Sequence, residues 1–213
     1  QILAGARAVA PDVILCVSTS GRVFKTFEQR SEVLDCRNPQ PEMASLTLGS
    51  MNFPKVASVN DPDMIRSLAQ RMTERGIVPE MECFDLGMVE YANYLVERRV
   101  LVAPFYGNLL LGSLGTLSAT PANLARMVGA LPNGTTWAAA GIGRFQFPMN
   151  ALAIAMGGHV RVGLEDNIWY DDERTRLATN AELITRLVRI AQACGREIAT
   201  PDEARTMIRL QTP

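Results

Sequence analysis

Residues 157–167 read GGHVRVGLEDN, a short β-branched run that passes directly into two adjacent carboxylates. Side chains alternate between the two faces of a strand, so His159, Arg161 and Gly163 share one face, and Arg161 and Glu165 also lie on the same side. A carboxylate pair, Glu165 with Asp166, is costly to bury unless it is paired or binds a metal. The stretch therefore indicates either catalytic chemistry or a structural arginine–carboxylate bridge, and spacing alone does not separate the two.

Five further apolar runs precede this stretch, and helical patterns lie between them. Strands and helices that alternate at nearly even intervals are typical of βα units with a parallel sheet. Several runs are continuously apolar, as expected for strands that are covered on both faces. The predicted strands are residues 12–18, 43–48, 78–84, 101–111, 135–141 and 159–164.

Helix boundary signals support this alternation. Asp61, followed by a proline, predicts the start of a helix that ends at Gly76. Thr120 and Thr179 predict the N-caps of two more helices, and Thr200 predicts that of a short final helix.

Six parallel strands can form an open doubly wound sheet or most of a closed barrel, and periodicity does not choose between these folds. The segment after the first strand, residues 18–22 (STSGR), matches neither a dinucleotide-binding fingerprint nor a P-loop. Polar side chains instead recur at the ends of nearly all the strands, as in a barrel that builds one site from many strands. We therefore predict an α/β fold of the (β/α)8 TIM-barrel type. The polar residues are Ser18, Thr19, Ser20, Ser45, Thr47, Ser50, Glu80, Glu82, Asn108, Arg144, Arg161, Glu165 and Asp166.

Two carboxylates alternate within the third predicted strand. Glu80 and Glu82 are two residues apart, so both side chains point to the same side of the sheet. Two explanations remain open: a site that uses at least one of them, or ion pairs with arginines of neighbouring strands. Asp85 is expected to cap the following helix.

Composition indicates one globular domain that spans residues 1–213. Of these residues 47% are hydrophobic and 20% are charged, which is ordinary for a folded protein. The net charge is −1 and no Lys/Arg run is present, so nucleic acid and anionic membranes are not expected as partners.

Several residues are assigned no chemistry. The four cysteines are widely spaced and are expected to be buried free thiols. The single histidine, His159, is expected to pack or hydrogen-bond rather than catalyse. No apolar run of about 18 residues suits a membrane span, and residues 1–20 lack the order of a signal peptide. A reducing, cytoplasmic setting is the expectation.

Several motifs together resemble the beta-keto acid cleavage enzyme family. They are residues 18–22 (STSGR), 44–46 (ASL), 49–53 (GSMNF), 79–82 (PEME), 141–144 (GIGR), 180–183 (NAEL), 199–205 (ATPDEAR) and, above all, 157–167. The resemblance covers essentially the whole chain. It implies a zinc-dependent barrel enzyme that condenses a 3-oxo acid with acetyl-CoA, giving acetoacetate and a new acyl-CoA.

The resemblance also implies roles for particular residues. Glu165 matches a glutamate that binds Zn²⁺ together with two histidines of an H-x-H motif. Asp166 and Arg161 match the catalytic base and the residue that orients it. Substrate contacts are implied for Glu82, for the hydroxyls of Ser18 and Ser45, and for Gly21. A homo-oligomer, usually a tetramer, is implied as well.

One departure from the family is clear, since the sequence contains no H-x-H motif. We expect the first two barrel strands to be absent, so that residues 1–213 hold strands three to eight of a chain of about 270–300 residues. Residues 2–9 fit this expectation, because they predict an amphipathic helix that leads at once into a strand. The alternative is a protein that has lost its metal site, but two long unpaired sheet edges favour aggregation and are avoided in natural proteins.

Two other functions remain open at this point. One is a metal-dependent aldolase or lyase on the same barrel, which would be active without any CoA compound. The other is a non-catalytic, degenerate barrel that serves as an interaction partner.

Overall fold

The computed structural model describes residues 1–210 and contains a curled, six-stranded parallel sheet that forms a half-barrel. The strand order is β1-β2-β5-β6-β7-β8, so neighbours in the sheet follow one another along the chain. A short antiparallel hairpin, β3–β4, stands apart from it. The strands are β1 (Cys16–Val17), β2 (Met43–Thr47), β3 (Met51–Asn52), β4 (Ala57–Ser58), β5 (Val78–Cys83), β6 (Tyr106–Leu111), β7 (Thr136–Gly141) and β8 (His159–Val160).

Helices follow most of the strands, as the alternation predicts. They are α1 (Ile2–Val9), α2 (Phe27–Ser31), α3 (Pro62–Arg75), α4 (Leu86–Glu97), α5 (Pro121–Ala130), α6 (Gln146–Ala155), α7 (Asn180–Ala193) and α8 (Pro201–Ile208), with 3-10 turns at Glu32–Asp35 and Gly143–Phe145. Within residues 1–210, no helix has the length and apolarity needed to cross a membrane.

The predicted helix boundaries are confirmed. The Asp61 carboxylate accepts hydrogen bonds from two backbone N–H groups at the start of α3, and Gly76 ends that helix with a φ of 67°. Thr120, Thr179 and Thr200 cap α5, α7 and α8 through their side chains. The Asp85 carboxylate caps α4 by accepting from the Met88 N–H, also as predicted.

The six parallel strands are confirmed, but all are shorter than predicted, three of them by one residue and three by more. The first and last, β1 and β8, keep two residues each, because each has a partner on one side only within the described sheet. The fourth predicted strand begins at Tyr106 instead of Leu101, after Pro104, which has no N–H to donate to a neighbouring strand. The β3–β4 hairpin was not predicted, since each of its strands has only two residues.

The core lies between the convex face of the sheet and the helices. Leu46, Met81 and Leu109 from the strands, with Leu68 and Leu95 from α3 and α4, are at most 1% exposed. Each such side chain contributes roughly 1.5–3 kcal/mol relative to an exposed one.

A charged cluster closes the amino-terminal end of the sheet. The Glu42 carboxylate accepts hydrogen bonds from Arg7 Nη2 at 3.1 Å, the Leu15 N–H at 2.9 Å and Arg205 Nε at 2.8 Å. Arg205 is 5% exposed and belongs to α8, so one carboxylate joins α1, the first strand and the last helix.

Gly141 is required where β7 meets the 3-10 turn that leads to α6. A Cβ atom at this position would lie 2.0 Å from the carbonyl oxygen of Phe145, a backbone atom that cannot rotate away. Gly129, inside α5, differs because nothing lies within 4 Å of its virtual Cβ.

We expect Gly141→Ala to lower the free energy of unfolding by roughly 1–3 kcal/mol, because the methyl group overpacks the turn. The matched variant Gly129→Ala should raise it by about 0.5–1 kcal/mol through helix propensity. Urea titration followed by circular dichroism measures both. Equal stability of the two variants would show that the close approach at Gly141 is not a constraint.

Candidate active site

A cavity of about 640 Å³ opens at the carboxyl ends of the strands. This volume lies within the range of about 300–1,000 Å³ that is usual for small-molecule sites. Its polar lining comes from β1, β2, β4 and β5 and from the loops that follow β1, β6 and β8: Cys16, Ser18, Ser20, Arg22, Ser45, Thr47, Ser58, Glu80, Glu82, Ser113, Arg161, Glu165 and Asp166.

Arg161 connects three carboxylates in this cavity. Its Nε donates to Asp166 Oδ2 at 2.9 Å and its Nη1 to Glu82 Oε1 at 3.0 Å. Its Nη2 donates to Glu165 Oε2 at 2.7 Å and to Asp166 Oδ1 at 3.2 Å. The fork to Asp166 is bidentate, a geometry that guanidinium provides and ammonium does not. The sequence predicts that Arg161 shares a face with Glu165, and the structure brings Glu82 and Asp166 to the same group.

Two buried amides on α6 fix the backbone around Arg161. The Asn150 side-chain NH₂ donates to the carbonyls of Ala139 and Arg161, both at 2.9 Å. Gln146 Nε2 donates to the Gly163 carbonyl at 2.8 Å. Both amides are 0% exposed. Neither amide is predicted as a functional residue, although two polar residues on the core side of an otherwise apolar helix could have indicated one.

The environment shifts the acidities of Asp166 and Glu165 in opposite directions. Burial raises the pKa of Asp166 to about 6; hydrogen bonds from Arg161 oppose this shift, whereas the hydrogen bond with Glu165 reinforces it. For Glu165 burial also opposes ionisation, but the hydrogen bond with Asp166 and the charges of Arg161 and Arg22 outweigh it and hold the pKa below the usual range. Two neighbouring carboxyl groups whose pKa values are shifted in opposite directions are typical of acid–base sites.

Glu82 and Glu80 form two successive layers of the cavity wall. Burial raises the pKa of Glu82, as does the charge of Glu80, although Thr47 Oγ1 donates to Glu82 at 2.7 Å. Glu80 accepts from Asn108 Nδ2 at 3.0 Å and from the Cys16 thiol at 3.5 Å. Of the two explanations left open for this pair, the ion pair is observed, since Glu82 bridges to Arg161, and both glutamates also line the cavity.

The two predicted serines present their hydroxyls to the cavity. Ser45 Oγ accepts from the Thr19 N–H and Ser18 Oγ from the Ser20 N–H, both at 3.2 Å. Since each oxygen accepts from the backbone, each hydroxyl proton is available to a ligand.

Six of the residues singled out from the sequence lie outside the cavity lining: Thr19, Gly21, Ser50, Asn108, Arg144 and His159. Gly21 packs beneath it, where a Cβ would lie 3.0 Å from both Arg30 Nη1 and the Val59 carbonyl oxygen. His159 begins β8, and burial and the charge of Arg196 lower its pKa. Arg144 lines a different cavity.

Arg22, the last residue of the 18–22 motif, also lines the cavity, although no role is predicted for it from the sequence. Its Nη2 donates to Glu165 Oε1 at 3.0 Å, and its guanidinium lies 4.7 Å from the centroid of the Phe53 ring. Arg22 and Arg161 together face four carboxylates, so the lining has a formal charge of −2.

Residues 1–210 do not form a metal centre by themselves. The described part of the chain contains no group of three or more His, Cys, Asp or Glu side chains that could hold an ion. Glu165, the expected zinc ligand, has a side chain that is 55% exposed and pairs with two arginines.

A curled βα sheet that gathers carboxylates and arginines at its strand ends defines the class of barrel-type enzyme sites. Within that class, the chain belongs to the beta-keto acid cleavage enzyme family, whose model matches residues 1–210. The resemblance inferred from the motifs is thereby confirmed.

Proteins that are similar in sequence to this chain are named as enzymes. The chain is 43% identical to the 3-keto-5-aminohexanoate cleavage enzyme of Fusobacterium nucleatum, over 96% of this chain and 74% of the relative. It is 38% identical to the enzyme of the same name from Acetoanaerobium sticklandii, over 95% and 73%. It is 35% identical to the 3-oxoadipate:acetyl-CoA acetyltransferase of Cupriavidus necator, over 99% and 73%.

The fold is also that of a solved structure, the apo form of ObcA. The TM-score is 0.80 with 21% identity over 98% of this chain. The chain spans about half of ObcA, since it covers 53% of that chain.

Arg161 should be far more important for stability than Arg22. Arg161→Met leaves two buried carboxylates without a cation, so we expect the free energy of unfolding to fall by about 3–5 kcal/mol. Arg22→Gln removes one exposed ion pair and should change it by less than about 1 kcal/mol. Urea titration of both variants tests this difference, and a small effect at Arg161 would argue against its structural role.

Proposed function

We propose that this protein condenses a 3-oxo acid with acetyl-CoA and releases acetoacetate and a new acyl-CoA. The observation that carries the proposal is the Arg161 cluster, which holds Asp166 and Glu82 in a cavity at the strand ends. The name of the Cupriavidus necator relative, a 3-oxoadipate:acetyl-CoA acetyltransferase, supports acetyl-CoA as the co-substrate.

The proposal includes a complete (β/α)8 barrel. Residues 1–213 would supply strands three to eight as a single domain of a longer chain. Relatives of which this chain covers 73–74% support that extent. A cytoplasmic location and a homotetramer are proposed on the basis of the family alone.

Zinc is proposed from the family resemblance, and the described residues supply only part of its site. Glu165 would be one ligand, and two histidines outside this sequence would be the others. His159 is not a candidate, because it does not line the cavity. The formal charge of −2 on the cavity lining is one that a divalent cation would balance. When bound, such a cation would stabilise negative charge on the oxygens of the oxo acid.

Asp166 is proposed as the base. Its carboxylate would take a proton from the carbon between the keto and carboxylate groups, and that carbon would attack the carbonyl of the acetyl thioester. Coenzyme A leaves as a thiolate and then attacks the original keto carbonyl. The carbon–carbon bond breaks, and the carbanion of acetoacetate recovers the proton from Asp166.

Arg161 and the polar wall would position the reactants. Arg161 fixes both oxygens of Asp166, so the carboxylate cannot rotate away from the substrate. Glu82 and the hydroxyls of Ser18 and Ser45 would contact the oxo acid. Gly21, which is implied by the resemblance, would act only by allowing the loop to approach Arg30 closely.

We expect Asp166→Asn in the complete protein to lower acetoacetate formation at least about 10²-fold, because the amide cannot accept the proton. Zinc content, measured by atomic emission, should stay unchanged. Asp12→Asn, at an exposed position remote from the cavity, is the matched control. Undiminished turnover in Asp166→Asn would exclude its role as the base.

A substrate panel tests the reaction itself. Cationic, neutral and anionic 3-oxo acids should give acetoacetate only when acetyl-CoA is present. Turnover without any CoA compound would favour an aldolase or lyase. A complete chain that has neither metal nor activity would indicate a non-catalytic barrel.

A further inference from the structure

The segment that follows β8 carries the charged cluster but has little backbone pairing of its own. The Arg161 N–H donates to the Ala139 carbonyl of β7 at 3.1 Å, and β8 has ended one residue earlier. Its carbonyls still need donors, because backbone groups that are removed from water are almost always hydrogen-bonded. The placement of residues 161–166 therefore depends on donors outside the sheet.

Two amides one turn apart on α6, Gln146 and Asn150, supply such donors. Asn150 binds the carbonyl of Arg161, and Gln146 binds that of Gly163. Positions i and i+4 lie on one face of a helix, about 6 Å apart, and alternate carbonyls of an extended segment point the same way at a spacing of about 6.6 Å. The two amides of this pair thus match the two carbonyls in both direction and spacing.

The orientation of the Asn150 amide is fixed by its contacts. Its nitrogen uses both hydrogens, one on the Arg161 carbonyl and one on the Ala139 carbonyl. A flipped amide would place its oxygen against those two carbonyl oxygens. Within residues 1–210, no group donates to the oxygen of either Asn150 or Gln146. The hydrogen bonds of the amide pair are therefore all made to β7 and to the segment after β8.

The carbonyl that Gln146 holds is also the origin of the turn that presents the carboxylates. The Gly163 carbonyl accepts hydrogen bonds from the N–H groups of Asp166 and Asn167, both at 3.2 Å. At the other end of this turn, the Gly143 N–H donates to the Asp166 carbonyl at 2.8 Å. Gln146 thus fixes the point from which the turn is built.

The fork between Arg161 and Asp166 joins two side chains of this one segment. Its hydrogen bonds of 2.9 and 3.2 Å are directional, so they form only if both backbone positions are held. A misplacement of a catalytic group by about 1 Å can slow a reaction by about 10²-fold. The backbone contacts behind the fork are therefore expected to matter for turnover.

We propose that Asn150 and Gln146 are positioning residues for the reaction, with Asn150 setting the place of Arg161 and Gln146 that of the turn with Asp166. The inference rests on the proposed function. Neither amide lines the cavity, so each acts through the segment after β8 and not on the substrate. The amide pair gives this segment the donors that a neighbouring strand would otherwise provide.

The test uses Asn150→Leu and Gln146→Met in the complete protein, since both changes nearly keep the side-chain volume and remove the donors. We expect each to lower the kcat of acetoacetate formation about 10- to 100-fold. The KM for the oxo acid, the KM for acetyl-CoA and the zinc content should stay within about twofold, because no contact with a ligand is lost. The two variants are independent, so the test remains decisive if one of them does not fold.

Asn93→Leu is the matched control. Asn93 is a half-buried amide on α4, and its Nδ2 donates to the carbonyls of Val89 and Ala130 at 3.3 and 2.8 Å. It therefore makes the same kind of contact, away from the cavity. This variant is expected to leave kcat unchanged.

Hydrogen exchange followed by mass spectrometry provides a readout that does not depend on turnover. Residues 161–167 should exchange about tenfold faster in both variants and at the normal rate in Asn93→Leu. A lower kcat with unchanged KM and faster exchange supports the proposal. A folded variant with unchanged kcat, or with normal exchange of residues 161–167, overturns it. If the complete protein forms no acetoacetate, faster exchange in both variants would retain the role of the amide pair while the proposed reaction fails.

Discussion

The pairing of one guanidinium with three carboxylates is the constraint on which the site depends. Arg161 follows β8, whereas Glu82 lies in β5, across β6 and β7 from it. Such a contact forms only if the intervening sheet curls, because a flat sheet would hold these strands too far apart. The cluster therefore depends on the curvature of the sheet, and removing its cation would leave buried negative charge uncompensated.

The two ends of the sheet have separate tasks. At the carboxyl end, partly exposed polar side chains line the cavity. At the amino end, Glu42 is saturated by Arg7, Arg205 and a backbone N–H, and it ties the first and last helices to the sheet. This division, with chemistry at one end and stability at the other, is usual in barrel folds.

Much of the fold could be predicted because it is encoded locally. Strand runs and capping residues act over a few positions. Arg161 and Glu165 do contact each other, but both lie beyond the end of β8, so strand alternation is not what brings them together. Edge strands could not be bounded, since pairing on one side only is a property of the sheet. Arg22 was missed for the same reason: its contact with Glu165 spans 143 positions, and no local pattern encodes it.

Beside the cavity that Arg144 lines, Arg186 stacks on the rings of Phe147 and Tyr170, and Arg176 stacks on Tyr170. These stacked contacts differ from ion pairs in their response to salt. Their contacts of 4.0–4.6 Å are well inside the Debye length of about 8 Å at physiological ionic strength, and they include dispersion between flat surfaces. The loop after β8 should therefore keep its shape across a wide range of ionic strength. Exposed guanidinium groups on the same face are screened much more strongly. Salt can thus weaken the exposed Arg176–Glu182 ion pair on this face without altering its architecture.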